Sequence, residues 1–174
     1  MPERDASRSL SHRPWKGLLI AGIVIALDQW TKQIAVTVLE FRDPERVTSW
    51  FDWMLTYNTG AAFSFLANAG GWQRWFLSGV AACVSVAILV WLFRLDAKDR
   101  GLVIPMGLIL GGGVGNLIDR VQLGHVVDFI SLHYQHWYWP AFNLADSAIT
   151  VGFTWWLLLT FFSKTSQSEE AAVS

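Results

Sequence analysis

Asp128 and Asp146 are the residues in this sequence best placed to do chemistry. They stand in Gly124-His125-Val126-Val127-Asp128-Phe129 and Phe142-Asn143-Leu144-Ala145-Asp146-Ser147, each beside a long apolar run. Two carboxyls brought together in a partly dry site cannot both ionise easily, so one keeps a proton while the other stays charged. The charged member can draw a proton from a water held between them, and the protonated member can hydrogen-bond a carbonyl as it becomes tetrahedral. That is the chemistry of metal-free amide hydrolysis. Spacing alone leaves a second reading open, in which the two aspartates are helix caps or members of ion pairs. It also leaves open which of the two holds the proton, because the titration belongs to the pair.

Other hydrolytic patterns fit less well. No His-Glu-x-x-His is present for zinc. Ser78-Gly79 lacks the glycine that a Gly-x-Ser-Gly motif needs, and Gly113-Val114-Gly115-Asn116 has Asn where a Gly-x-Gly-Asp protease has Asp. His125, His133 and His136 follow no familiar ligand spacing, so no metal and no cofactor is expected. Cys83 is the sole cysteine and lies in an apolar run with no His or Lys nearby to activate it. It reads as a small core residue.

The elements that must position these groups are membrane helices. Of the residues 53% are apolar and only 16% are charged, a balance that points to a bilayer as solvent. Trp15 to Val38 and Trp72 to Phe93 each exceed the roughly 20 residues that span a hydrocarbon core. Leu102 to Ile118 and Ala141 to Phe162 complete four expected spans. The first run is too long for a cleaved leader and no small-x-small site follows it, so it is expected to be retained. Lys and Arg number eight in the N-terminal arm, the Arg94 to Arg100 loop and the C-terminal tail, against four (Arg42, Arg46, Arg74 and Arg120) on the opposite side. This bias predicts both termini in the cytoplasm. Residues 1–13 are expected as a cytoplasmic arm, 14–163 as the membrane domain and 164–174 as a cytoplasmic tail. Val47 to Phe65, rich in Trp, Phe, Tyr and Thr and divided by Asn58-Thr59-Gly60, predicts a small antiparallel element on the outer face, within a segment of about 40–70. Pro140 is placed to start the fourth helix.

Polar residues at membrane depth are costly and few. Asp28 and Lys32, four apart on one helix face, read either as a structural ion pair that neutralises itself or as a substrate contact. Asn116 lies four residues after Gly112 and three before Asp119, which predicts a polar stripe on a glycine-rich face made for close helix approach. Asp119 and Arg120 read as a charge pair or cap at the membrane edge. Asn143, Asp146 and Thr150 share one face of the fourth helix. A small transporter or a lipid-binding scaffold could also use such stripes. The lack of inverted repeats and the siting of both aspartates near one surface count against a transporter.

Together five blocks resemble the bacterial lipoprotein signal peptidases, also called type II signal peptidases. They are Asp28-Gln29-Trp30-Thr31-Lys32, Tyr57-Asn58-Thr59-Gly60-Ala61-Ala62-Phe63, Gly115-Asn116-Leu117-Ile118-Asp119-Arg120, Val126-Val127-Asp128-Phe129 and Phe142-Asn143-Leu144-Ala145-Asp146-Ser147. The resemblance implies an α-helical integral membrane protein with four transmembrane helices and a small periplasmic antiparallel sheet. It further implies a metal-free aspartic endopeptidase of the inner membrane, acting at its periplasmic face on prolipoproteins at the bond before a diacylglyceryl-modified cysteine. In that pattern Asp128 and Asp146 are catalytic, while Asn58, Gly60, Asn116, Arg120, Asn143, Asp28 and Lys32 shape or line the site. The partners expected are lipidated prolipoproteins and membrane lipids, with no nucleic acid, and the chain is expected to act as a monomer.

Overall fold

The computed structural model describes residues 14–60 and 70–173. The arm at 1–13 and the Ala61-Ala62-Phe63 part of the second block lie outside the described residues. Strands β1 (Glu45–Arg46) and β2 (Phe51–Asn58) lie between helices α1 (Pro14–Val38) and α2 (Trp72–Arg94), and strands β3 (Val126–Tyr134) and β4 (Trp137–Tyr138) between helices α3 (Val103–Gln122) and α4 (Leu144–Val173). All four helices contain stretches long and apolar enough to cross a membrane. The charged Arg94 to Gly101 connection tightens into a 3-10 turn at Ala97–Leu102. In α4 the apolar stretch ends at Phe162, and the backbone stays helical to Val173. Ala, Glu and Gln are good helix formers.

Large apolar side chains point outward from the bundle: Leu19, Ile23, Leu27, Trp30 and Ile34 on α1 are all exposed at spacings of three and four. This is the pattern of a protein whose solvent is lipid. Inside, α3 is central and packs against the other three helices. Its far half meets α1 and α2 in an apolar cluster of Ala21, Ile88, Leu92, Leu95, Met106 and Leu110. Its near half is glycine-rich, for a steric reason. A Cβ on Gly112 would collide with the Ala145 carbonyl of α4, and one on Gly115 would lie 2.6 Å from Asp28 Oδ2 of α1. Removing both side chains brings the polar residues of three helices into direct reach.

The sheet differs from the sequence expectation in its pairing. Its order is β1-β2-β3-β4, antiparallel throughout, so β2 pairs with β3, a distant segment read from sequence only as a loop. Asn58-Thr59-Gly60 does form a turn, in which the Gly60 N–H donates to Asn58 Oδ1 at 3.0 Å, but the described residues contain no hairpin about it. The ladder shifts by one residue between Trp53 and Thr56. Such a bulge re-aims a strand. Beyond it Thr56 opposes Asp128 and Asn58 opposes Val126, which sets Asn58 and Asp128 on one face as diagonal neighbours.

The start of α4 also departs from expectation. Phe142 bridges to Ile130 of β3, and the helix begins at Leu144, after Pro140. Asn143 is the N-cap: its Oδ1 accepts from the Asp146 N–H at 2.9 Å, and Asp146 Oδ2 accepts in return from the Asn143 N–H at 3.3 Å. This is a capping box built from Asn and Asp. The next orphan donor, the Ala145 N–H, is taken by Asp28 Oδ1 at 2.9 Å.

Candidate active site

Asp128 from β3 and Asp146 from the first turn of α4 line one cleft of about 950 Å³ at the sheet end of the bundle. Asn58, Asn116 and Arg120 line it with them, as do apolar residues including Met54, Val126, Phe142 and Ile149. The other expected residues sit behind this wall. Asn143 is completely buried, Asp28 and Lys32 are buried in the helix junction, and the Gly60 carbonyl accepts from Arg120 Nη2 at 3.1 Å.

Three side-chain amides hold the two carboxyls, and each has its orientation fixed by a group that can only donate. Asn58 Oδ1 receives the Gly60 N–H, so its Nδ2 faces Asp128 Oδ2 at 3.2 Å. Asn143 Oδ1 receives the Asp146 N–H, so its Nδ2 reaches Asp128 Oδ1 at 2.7 Å and the Val127 carbonyl at 3.2 Å. Asn116 Oδ1 receives the Lys32 ammonium at 3.0 Å, so its Nδ2 donates to Asp146 Oδ1 at 2.7 Å. Asn143 Nδ2 also reaches Asn116 Oδ1 at 3.1 Å and ties the two amides together.

Burial is the main reason the Asp128 carboxyl is pushed up to about 7, and the neighbouring charge of Asp146 adds to it. The Asn58 and Asn143 hydrogen bonds and the Lys32 charge pull in the opposite direction. A carboxyl so placed can exchange its proton near neutral pH, as acid–base catalysis requires.

Beneath the cleft lies an ionic junction. Lys32 Nζ is 2.8 Å from Asp28 Oδ2, the i,i+4 partner expected from spacing, and 2.9 Å from Asp119 Oδ2. Asp119 therefore pairs with Lys32 on α1, and the sequence expectation of an Asp119–Arg120 pair gives way because successive helical residues do not face each other. Asp119 also accepts from the Val127 N–H at 3.0 Å, which links the junction to the strand that carries Asp128. Arg120 turns toward the cleft and donates to the Asn116 carbonyl at 3.3 Å as well as to Gly60.

Two residues of this architecture have no site role in the sequence reading. Gln29 donates to Asp119 Oδ1 at 2.8 Å and to the Gly115 carbonyl at 3.2 Å, joining α1 to α3. Its signal was available, since an amide inside an apolar span seeks a partner. Arg74 donates to the carbonyls of Arg120 at 2.7 Å and Val121 at 2.6 Å, closing the C-terminal end of α3. An arginine at a span edge otherwise reads as an interfacial anchor. The three histidines diverge: His125 packs on Tyr57 with ring centres 4.4 Å apart, His133 lies beside Asp52, and His136 is in the turn between β3 and β4.

A helical membrane protein with two carboxyls in an amide-lined cleft carries the groups that a membrane hydrolase needs. Comparison with known proteins narrows the class. Residues 20–162 match the signal peptidase (SPase) II family, and the chain belongs to it. It is 53% identical over 167 residues to a lipoprotein signal peptidase of Acinetobacter baumannii, covering 93% of this chain and 94% of that protein. Over 174 residues it is 48% identical to a lipoprotein signal peptidase of Ectopseudomonas mendocina, covering 99% of each. Its fold is similar to that of a bacterial membrane enzyme solved by the in meso method at 2.3 Å, with a TM-score of 0.75 and 31% identity over 87% of this chain and 90% of that one. It is thus a multi-pass membrane peptidase.

Proposed function

We propose that this chain removes signal peptides from prolipoproteins as a metal-free aspartic endopeptidase, cutting before a diacylglyceryl-modified cysteine, with Asp128 and Asp146 as its catalytic pair. The observation that carries the pairing is their convergence on one cleft from a strand and a helix start, each held by oriented amides. In this mechanism the ionised carboxylate takes a proton from water, and the oxygen left behind bonds to the scissile carbonyl carbon. The protonated carboxyl gives its proton to the carbonyl oxygen, forming a tetrahedral diol. When the C–N bond breaks, the amine takes the proton held by the first carboxyl. The diol returns its own to the second, leaving a carboxylic acid, a free cysteine amine and the dyad in its starting state.

The site suits a lipid-anchored substrate. Along α4 the cleft is walled by Ile149, Thr150 and Val151, inside the membrane-spanning stretch, so acyl chains can stay in the bilayer while the peptide meets the carboxyls at its edge. Asn58 and Arg120 on the cleft wall are assigned to the substrate backbone. The distribution of Lys and Arg supports an inner-membrane orientation with both termini cytoplasmic and the cleft periplasmic. Residues 14–163 act as one peptidase unit, as a monomer. The test is cleavage of a diacylglyceryl-modified prolipoprotein by the purified protein in detergent with chelator present, against the same substrate without the lipid. Cleavage of the lipidated form at the bond before cysteine is expected. Binding without cleavage would instead mark a lipid-binding scaffold.

A further inference from the structure

Among the described residues both carboxyls accept two hydrogen bonds, but the donors differ in kind. Among the described residues Asp128 receives only neutral side-chain amides, those of Asn58 and Asn143. Asp146 receives the Asn116 amide at 2.7 Å, and the far end of that amide accepts from the Lys32 ammonium at 3.0 Å. A cation on the oxygen side of an amide polarises its N–H bonds, and donors to a charged acceptor form the stronger hydrogen bonds. The Asn143 backbone N–H adds a second donor at the N-terminal end of α4, where the helix dipole favours negative charge.

From these contacts we infer that Lys32, acting through Asn116, holds Asp146 as the ionised base, so that the proton of the dyad rests on Asp128. Lys32 and Asn116 are positioning residues in this account. It rests on the aspartic-peptidase reading and adds the direction of proton flow: Asp146 activates the water and Asp128 protonates the carbonyl. The charged groups on the surrounding elements are Asp28 and Lys32 of α1, Arg42 on the cleft wall between α1 and β1, Arg74 of α2, Asp119 and Arg120 of α3, and the partly buried His125 before β3. Asp28, Asp119 and Lys32 together carry one net negative charge, so the asymmetry rests on the donors Asp146 itself receives, the Asn116 amide seated on Lys32 and the Asn143 N–H.

Infrared titration of the protonated-carboxyl stretch tests the assignment, with the double variant Asp128→Asn/Asp146→Asn as blank. Asp128, alone in Asp146→Asn, is expected to keep its proton to a higher pH than Asp146, alone in Asp128→Asn. The reverse order, or equal midpoints, would overturn the assignment. Adding Asn116→Ala is expected to raise the Asp146 midpoint by about one pH unit, the loss of one hydrogen bond to a charged group, and to leave the Asp128 midpoint in place. Because a lone Lys32 change could prevent folding, the charge-balanced pair Asp28→Asn/Lys32→Met serves as the second probe. It is expected to shift Asp146 the same way with Asn116 intact. If the Asp146 midpoint stays fixed in both backgrounds, the relay is wrong. Failure of the wild type to cleave lipidated substrate would sink the peptidase reading separately, since the titration order is measured without substrate.

Discussion

Two buried ionic groups in this molecule are built to different standards. At the helix junction Lys32 is held by Asp28, Asp119 and Asn116, while Asp28 and Asp119 also bind backbone N–H groups of α4 and β3. In the sheet, His133 Nε2 lies 3.2 Å from Asp52 Oδ2 without an aligned hydrogen bond, and among the described residues Asp52 Oδ1 and both His133 ring nitrogens have no hydrogen-bond partner. Arg46 comes only to 4.0 Å of Asp52 from an exposed position. Both sites bury charge-bearing groups, but only the first gives each group a structural task. A saturated network repays the desolvation of its charges and fixes the geometry of what it touches, whereas a partly satisfied one contributes little.

The contrast can be tested by substitution. Lys32→Met should leave two buried carboxylates uncompensated and cost about 3–5 kcal/mol, read as a large fall in thermal stability in detergent. Gly115→Ala should cost about 1–3 kcal/mol by overpacking α1 against α3, with loss of cleavage as Asp28 is displaced from the Ala145 N–H. Replacing both partners sharpens the comparison. Asp52→Leu with His133→Phe should change stability by less than about 1 kcal/mol and leave cleavage intact. Asp28→Leu with Lys32→Met should remain clearly destabilised, because no apolar side chain can cap α4. Equal costs for the two double variants would show that the regions do not differ as argued.

A smaller effect concerns pH. The Asp128 carboxyl is raised to about 7 in the folded protein, from an ordinary value of 3.8. The folded state therefore binds the extra proton between these values. That contribution to stability is complete below 3.8 and lost as pH rises to about 7. Asp128→Asn has no such ionisation to suffer, so its thermal stability relative to wild type should increase from pH 4 to pH 7 and level off above. A flat difference across that range would mean that Asp128 is not held as described.

How far the sequence reaches depends on the range of the physics. The four spans stand within a few residues of their expected limits because apolar length is a local property. The Asp28–Lys32 pair is legible for the same reason, being one helical turn apart. Strand pairing is not local. The β2 partner lies some seventy residues away across two helices, and Val126–Tyr134 offers no turn signal tying it to Phe51–Asn58. Asn143 and Asp146 stand at capping-box spacing, yet Pro140 offers a rival helix start, and only the bridge of Phe142 to Ile130 decides between them. The glycines announce a close approach without naming what approaches. That Gly112 meets α4 and Gly115 meets Asp28 is a property of the packed bundle.

The most direct test of the central claim is cleavage of a diacylglyceryl-modified prolipoprotein by wild type, Asp128→Asn and Asp146→Asn, each purified in detergent, shown to be folded and assayed with chelator. A catalytic pair predicts wild-type cleavage that withstands the chelator and at least a hundredfold loss in either variant, the scale of removing an acid–base catalyst. Cleavage persisting near the wild-type rate in either folded variant, or abolished in wild type by the chelator, would contradict it.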